Sequence, residues 1–229
     1  MSMITMEELS GLEERIGYTF KNKALLMQAV THSSFANEQR INKKPHYERL
    51  EFLGDAVLEM VVSAYIYKHY PDRREGEMTR MRAAMVCETA LAYCAEDLEL
   101  GRYLILGRGE EAMGGRYRES IIADVMEALI GAIYLDGGIR KVTAIIEQFI
   151  LSDLEHKQVF YDSKSILQEW SQQRGSQLVY EVIGEEGPDH DKLFKVAVSV
   201  DGARLGEGEG RNKKAAEQKA AYAALLSME

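Results

Sequence analysis

The sequence predicts an all-α domain followed by a small α+β domain of order α-β-β-β-α. Three observations carry this. Apolar residues recur at helical spacing up to about residue 155, period-two alternation then takes over in 178–183 and 193–200, and an alanine-rich helical segment closes the chain. With 46% hydrophobic content in 229 residues, both parts can bury real cores.

In the first part, periodicity predicts helices over 6–16, 21–31, 46–70, 77–99, 119–135 and 138–155, with Pro71 after the third and Gly137-Gly138 ending the fifth. Cys87 and Cys94 lie seven apart on one face of the predicted helix 77–99, which points to buried thiols and against a metal or catalytic pair. Glu59 interrupts the apolar run 56–66, and other runs are broken in the same way, so no segment is expected to span a bilayer. The opening MSMITMEELSGLEE has acids where a signal peptide needs basic residues and then an apolar core, so the expected location is cytoplasmic.

The polar stretch 156–162 reads as a linker. A helix is then predicted over 163–173, followed by the strands, where Phe194, Val196, Val198 and Val200 share one face and Asp201-Gly202 is a hairpin turn signal. The last helix is predicted over 211–227, entered from a glycine-rich turn that begins at Gly206.

Net charge is −9, which argues against a polyanionic partner unless basic groups or cations are concentrated locally. Residues 162–229 carry 9 Lys/Arg against 12 Asp/Glu and the remainder 19 against 25, so neither part is basic overall.

Against that background, ERLEFLGDAVLEM (48–60) places Glu48, Glu51 and Asp55 within about 60° of one another on a helix otherwise rich in apolar residues. Glu51 and Asp55 form an i,i+4 like-charge pair with no Lys or Arg within helical reach. Asp124 and Glu127 repeat the anomaly in SIIADVMEALIGAIYL, a still more apolar helix. Any one of these acids reads equally as a solvated surface group. Together, if the two helices pack, they bring four carboxylates to the edge of a low-dielectric core, where ionised groups need a cation. Mg²⁺ takes oxygen ligands, a few carboxylates among them, and keeps waters and substrate phosphate oxygens as the rest. Two such ions activate water and stabilise a leaving oxygen in phosphodiester cleavage.

In GEGEGRNKKAAEQKAA, Arg211, Asn212, Lys213 and Lys214 stand at a helix start, where free backbone N–H groups and the macrodipole favour a phosphate backbone. The G-x-x-x-x-G-K-[ST] spacing of a nucleotide-binding loop is absent from this segment, so no nucleotide cofactor is expected. His190, in GPDHDK between the first two strands, is placed to reach into a groove. Gln168 and Glu169, on the preceding helix, are placed to hydrogen-bond ribose 2′-hydroxyls. Each also reads as an ordinary surface polar residue.

ERLEFLGDAVL, with THSS at 31–34, REGEMTRMRAAMV at 74–86 and ADVMEALIGAIYLD at 123–136, resembles bacterial ribonuclease III, and GEGEGRNKKAAEQKAA resembles a double-stranded RNA-binding domain. The resemblance implies a catalytic domain at 4–155, a linker at 156–162 and an RNA-binding domain at 163–229. It implies a homodimeric, Mg²⁺-dependent endonuclease, with Mn²⁺ as a substitute, that cuts both strands of duplex RNA to leave 5′-phosphate and 3′-hydroxyl ends. Ribosomal RNA precursors are the expected substrate, with messenger and transfer RNA precursors as lesser ones.

Carried onto the matching motifs, the resemblance implies that Glu51, Asp124 and Glu127 hold metal while Asp55 helps orient metal and water, and that Glu48 and Glu75 are supporting acids. Phe52 matches an interface aromatic that packs across a dimer, although by itself it reads as core. The RNA-binding domain is expected to read duplex shape over about 16 base pairs. Two other readings stay open at this point: a non-catalytic duplex-RNA binder that keeps the fold as a dimerisation scaffold, and a metal-dependent phosphohydrolase of small esters.

Overall fold

A computed structural model of the chain describes residues 6–39, 44–95, 98–152, 154–187, 192–210 and 212–228. The chain divides into two compact units, Met1–Ser152 and Asp153–Glu229.

The first unit is helical: α1 (Met6–Ile16), α2 (Lys23–Ala29), α3 (Ser33–Glu38), α4 (Glu48–His69), α5 (Glu75–Val86), α6 (Glu88–Cys94), α7 (Leu100–Tyr103), α8 (Arg108–Ala112), a 3₁₀ turn at Gly115–Tyr117, α9 (Glu119–Gly137) and α10 (Ile139–Phe149). At its centre is α9, which buries residues on nearly every side, from Ile121 and Val125 to Met126, Leu129, Ile130 and Ile133. A helix apolar around its circumference belongs in the middle of a bundle, and α9 packs against α2, α4, α6 and α10.

The most extensive of these contacts, with α4, is made backbone to backbone. A Cβ on Gly54 would stand 1.8 Å from the carbonyl oxygen of Glu127, and one on Gly131 would stand 2.2 Å from that of Leu50. Only glycine permits this approach. It sets the acid-bearing edge of α4 against that of α9.

At the other end of α9, Asp136 accepts hydrogen bonds from the Tyr18 hydroxyl (2.6 Å) and the amides of Lys21 (2.9 Å) and Asn22 (2.8 Å), tying the α1–α2 connection to the bundle. Among the described residues, no helix is long and apolar enough to cross a membrane.

The structure corrects the predicted helix over 77–99. It breaks at Cys87, whose extended backbone (φ −70°, ψ 157°) ends α5 and starts α6. No glycine or proline marks the break; α5 packs on α4 whereas α6 packs on α9, and the chain turns to serve both. The shared-face argument for two buried thiols needed a continuous helix, so it holds only for Cys94, while Cys87 is exposed. The short helices α3, α7 and α8 were not predicted, because segments of four to six residues contain too few repeats to show a period.

The second unit comprises α11 (Leu154–Arg174), β1 (Leu178–Glu186), β2 (Leu193–Val200), β3 (Ala203–Gly210) and α12 (Lys213–Ser227), with an antiparallel sheet of order β1-β2-β3. Residues 156–162, read as a linker, are helical and belong to the first turns of α11. Val196 and Val198 of β2 pack with Leu167 and with Ala216, Ala220, Ala221 and Ala224, so both helices cover one sheet face. Asp201 (φ 50°) and Gly202 (φ 81°) form the two-residue turn, both in the left-handed region that such hairpins require.

The expected glycine-rich turn from Gly206 is instead the second half of β3. Its glycines alternate with Glu207 and Glu209 and face α12: a Cβ on Gly208 would meet the Ala220 amide nitrogen at 2.3 Å, and one on Gly206 the Ala220 carbonyl at 2.4 Å. Small residues on both surfaces let helix and strand touch.

Candidate functional site

The acids sit where α4 begins and where α9 emerges from the core. Glu48 and Glu51 occupy the first turn of α4, where the helix dipole favours negative charge. Glu51, Asp124 and Glu127 are half-buried, and an oxygen of each lies within 4.8 Å of the others. Among the described residues, the neighbours that act most strongly on Glu51 and Glu127 are other carboxylates, with no lysine or arginine among them.

The consequence is that their carboxyls hold protons more tightly than usual. Burial first, and then the charges of Asp124, Glu48 and Asp55, push Glu51 up to about 7. Burial, then Asp55, Glu51 and Asp124, push Glu127 up to about 8. Asp124 is also raised by burial, against the lowering effect of a hydrogen bond from the Tyr47 hydroxyl (3.0 Å) and of nearby His32. Like charges this close cannot all ionise without a counter-charge. Three oxygen donors over a hydrophobic floor, with no lysine or arginine among the described neighbours that shift them, fit a hard divalent cation.

Asp55 and Glu48 are exposed at the margin of the cluster and act on it through their charge. Phe52, between Glu51 and Asp55 in sequence, is 81% exposed, so its core reading does not hold. Glu75 is exposed at the first position of α5 and lies outside the three-carboxylate group. In that basic stretch it is Glu77 that engages Arg73 (3.0 Å) and the Arg74 amide (3.0 Å).

The sequence assigns no site role to Tyr47, nor to His32 beyond its place in THSS. Tyr47 lies at the edge of the helix predicted over 46–70 and at the cap of α4, and only tertiary structure shows its hydroxyl reaching α9.

In the second unit, Lys213 and Lys214 are exposed at the start of α12. Asn212 caps that helix by accepting from the Ala215 amide (2.8 Å), so its side-chain oxygen already has a structural task. Lys213 Nζ lies 5.7 Å from the centre of the Phe194 ring. Gln168 and Glu169 are exposed on α11. His190 and Arg211 lie outside the described residues. Glu209 pairs with Lys195 (3.2 Å) and Glu207 with Arg204 (3.3 Å), which answers in part the acidic balance of this unit. Those acids are matched on the strands, while the lysines of α12 stay exposed.

Residues 22–154 match the family model described as Ribonuclease-III-like, and residues 163–228 match the double-stranded RNA binding motif. The chain is 48% identical to Ribonuclease 3 of Listeria monocytogenes, over 96% of this chain and 97% of that one. It is 46% identical to Ribonuclease 3 of Pelotomaculum thermopropionicum, over 96% of this chain and 93% of the relative. The nuclease domain of ribonuclease III from Campylobacter jejuni superposes with a TM-score of 0.58 at 39% identity, covering 62% of this chain and 95% of that domain. A helical domain with an acidic cluster and a strand-and-helix domain with a basic helix start are thus accounted for together: the chain belongs to the ribonuclease III family, as an endoribonuclease that acts on double-stranded RNA.

Proposed function

We propose that this endoribonuclease is Mg²⁺-dependent, with Mn²⁺ as a substitute, and hydrolyses phosphodiesters on both strands of duplex RNA to leave 5′-phosphate and 3′-hydroxyl ends. The observation that carries the reading is the group of three half-buried carboxylates, Glu51, Asp124 and Glu127, an oxygen of each lying within 4.8 Å of the others, with only carboxylates among the charged neighbours that shift Glu51 and Glu127 among the described residues. These three would hold the cation, and Asp55, at the exposed margin, would help orient metal and water. When bound, divalent cations supply activation of water and stabilisation of the leaving oxygen. Glu51 and Glu127 give up protons to become ligands, so raised values near 7 and 8 place that exchange in the physiological range.

No side chain is assigned as a nucleophile; water attacks phosphorus, and the 3′ oxygen leaves and takes a proton. Glu48 and Glu75 act as supporting acids toward the scissile phosphate. Phe52 packs against a second copy of the chain, since an aromatic ring 81% exposed beside the acids is costly to leave in water. The nuclease domain of the Campylobacter jejuni enzyme has a region involved in dimer formation, in keeping with a homodimer here.

Lys213 and Lys214 hold phosphates across a groove, Gln168 and Glu169 meet ribose hydroxyls, and Asn212, Arg211 and His190 are assigned to RNA contact as well. Ribosomal RNA precursors are the proposed substrates, with some messenger and transfer RNA precursors, in the cytoplasm. Incubation with end-labelled duplex RNA and Mg²⁺ tests the reading. Cleavage of both strands, abolished by chelator, supports it; retention of the duplex without cleavage would support the scaffold reading instead.

A further inference from the structure

We propose that Tyr47 is a positioning residue of the metal centre, holding Asp124 in one rotation so that a single oxygen faces the cation. This rests on the metal-dependent reading above.

The Tyr47 hydroxyl donates to Asp124 Oδ2 at 3.0 Å, a side-chain contact between residues 77 positions apart. A phenol is protonated at neutral pH and a carboxylate accepts, so the direction of the bond is fixed. With one lone pair of Oδ2 already engaged, Oδ1 is the oxygen better placed for a ligand bond.

The backbone of the same residue holds the other helix. The Tyr47 carbonyl accepts from the Glu51 amide at 2.9 Å, the first helical bond to reach a metal-ligand candidate. Tyr47 therefore grips Glu51 through its main chain and Asp124 through its side chain, across the α4–α9 contact.

Tyr47 is itself firmly seated. It is 3% exposed, and its amide donates to the Thr31 carbonyl at 2.9 Å. The His32 ring lies 5.5 Å from the tyrosine ring at a 58° tilt. His32 is pinned by Ser34, whose amide donates to Nδ1 (3.1 Å) and whose hydroxyl meets the same nitrogen (2.7 Å); the Gly107 amide donates to that hydroxyl oxygen at 2.8 Å. The His32 amide donates to the Ile105 carbonyl (3.0 Å), closing the shelf behind the tyrosine.

The THSS segment is thus the support on which Tyr47 rests. A purely apolar role would need the ring and not the hydroxyl. Groups that orient a ligand in this way typically change metal affinity by 10–100-fold when removed, because the freed carboxylate must be ordered each time the ion binds.

Tyr47→Phe in the full chain tests this, with free Mn²⁺ followed by electron paramagnetic resonance in the absence of RNA. Mn²⁺ affinity should fall by about 10–100-fold, and the Mg²⁺ concentration for half-maximal cleavage should rise by a similar factor. The KM for duplex RNA at saturating Mg²⁺ should stay at the wild-type value, which a general loss of structure would not leave unchanged. Wild-type Mn²⁺ affinity and Mg²⁺ requirement in the variant would overturn the inference. Should the metal-free unfolding midpoint of the variant fall, the titration is repeated well below it, where unchanged affinity of the folded protein is equally fatal. A wild-type protein that binds no Mn²⁺ and cuts no RNA would instead remove the metal-centre reading itself.

Discussion

Gly54 of α4 lies directly against the carbonyl oxygen of Glu127 in α9, with a Cβ at that glycine 1.8 Å from the oxygen. Helix packing ordinarily keeps axes 8–10 Å apart through interposed side chains. Here the glycine removes the side chain at the point of crossing, and Glu51, one turn before it on α4, is drawn toward Asp124 and Glu127 on α9.

Gly54→Ala separates two opposed effects. In a helix interior alanine is favoured over glycine by roughly 0.5–1 kcal/mol, so propensity alone would stabilise the variant. Overlap with the backbone of α9 opposes this by about 3 kcal/mol, within the upper range for overpacking. The net loss should lower the unfolding midpoint by several degrees, at roughly 2–4 °C per kcal/mol, and Mn²⁺ binding should weaken with it. Calorimetric unfolding of the variant decides the sign.

Glu127→Gln keeps the shape of the side chain and removes a ligand charge. Cleavage should fall by at least two orders of magnitude, since a metal centre contributes several kcal/mol to the transition state. Duplex-RNA affinity should stay within about twofold, because the phosphate contacts proposed for the second domain are untouched. Single-turnover cleavage and gel-shift titration measure the two effects separately; retained turnover would misplace the metal site.

Stability without metal should depend on pH in a defined direction. Burial and neighbouring carboxylates raise Glu51 to about 7 and Glu127 to about 8 in the folded protein, above an ordinary value of 4.5. The folded state therefore holds protons that the unfolded state releases, and the stability these groups contribute is fully present below 4.5 and lost as pH rises through 7–8. In EDTA, the unfolding midpoint should drop between pH 5.5 and 8.5 more in the wild type than in a Glu51→Gln, Glu127→Gln double variant. Mg²⁺ should restore the wild type at the alkaline end, and its affinity should rise with pH as the carboxylates deprotonate. Equal pH responses in both proteins would contradict the assigned shifts.

Replacing Lys213 and Lys214 by Ala should weaken duplex-RNA binding and flatten its salt dependence. Each lost phosphate contact should lower the log–log slope by roughly 0.9 on the duplex-DNA scale. Filter binding across a series of salt concentrations gives the slope; an unchanged value would mean that this helix start faces away from the RNA.

The long elements were legible because they repeat. Helices α4 and α9 carry several turns of apolar periodicity, and their unbalanced acids stood out against it. That Glu51 would be half-buried and Asp55 exposed was not legible, since it depends on how one helix is rotated against the other. The break at Cys87 left no glycine or proline signal because it arises from α5 and α6 choosing different partners. GEGEG misled for the opposite reason. Its glycines look like a turn, yet they are the inward residues of a strand pressed against α12. Tyr47 was silent because an aromatic in the first turn of a predicted helix reads as ordinary packing until a second helix shows what its hydroxyl meets.

Anomalous diffraction from crystals grown with Mn²⁺ asks whether a cation balances the carboxylates of Glu51, Asp124 and Glu127. A peak should appear about 2.1 Å from an oxygen of each, within the bonding range of a small hard cation, and vanish in Glu127→Gln. Ordered Mn²⁺ elsewhere, with these three carboxylates free of any ion at saturating concentration, would contradict it.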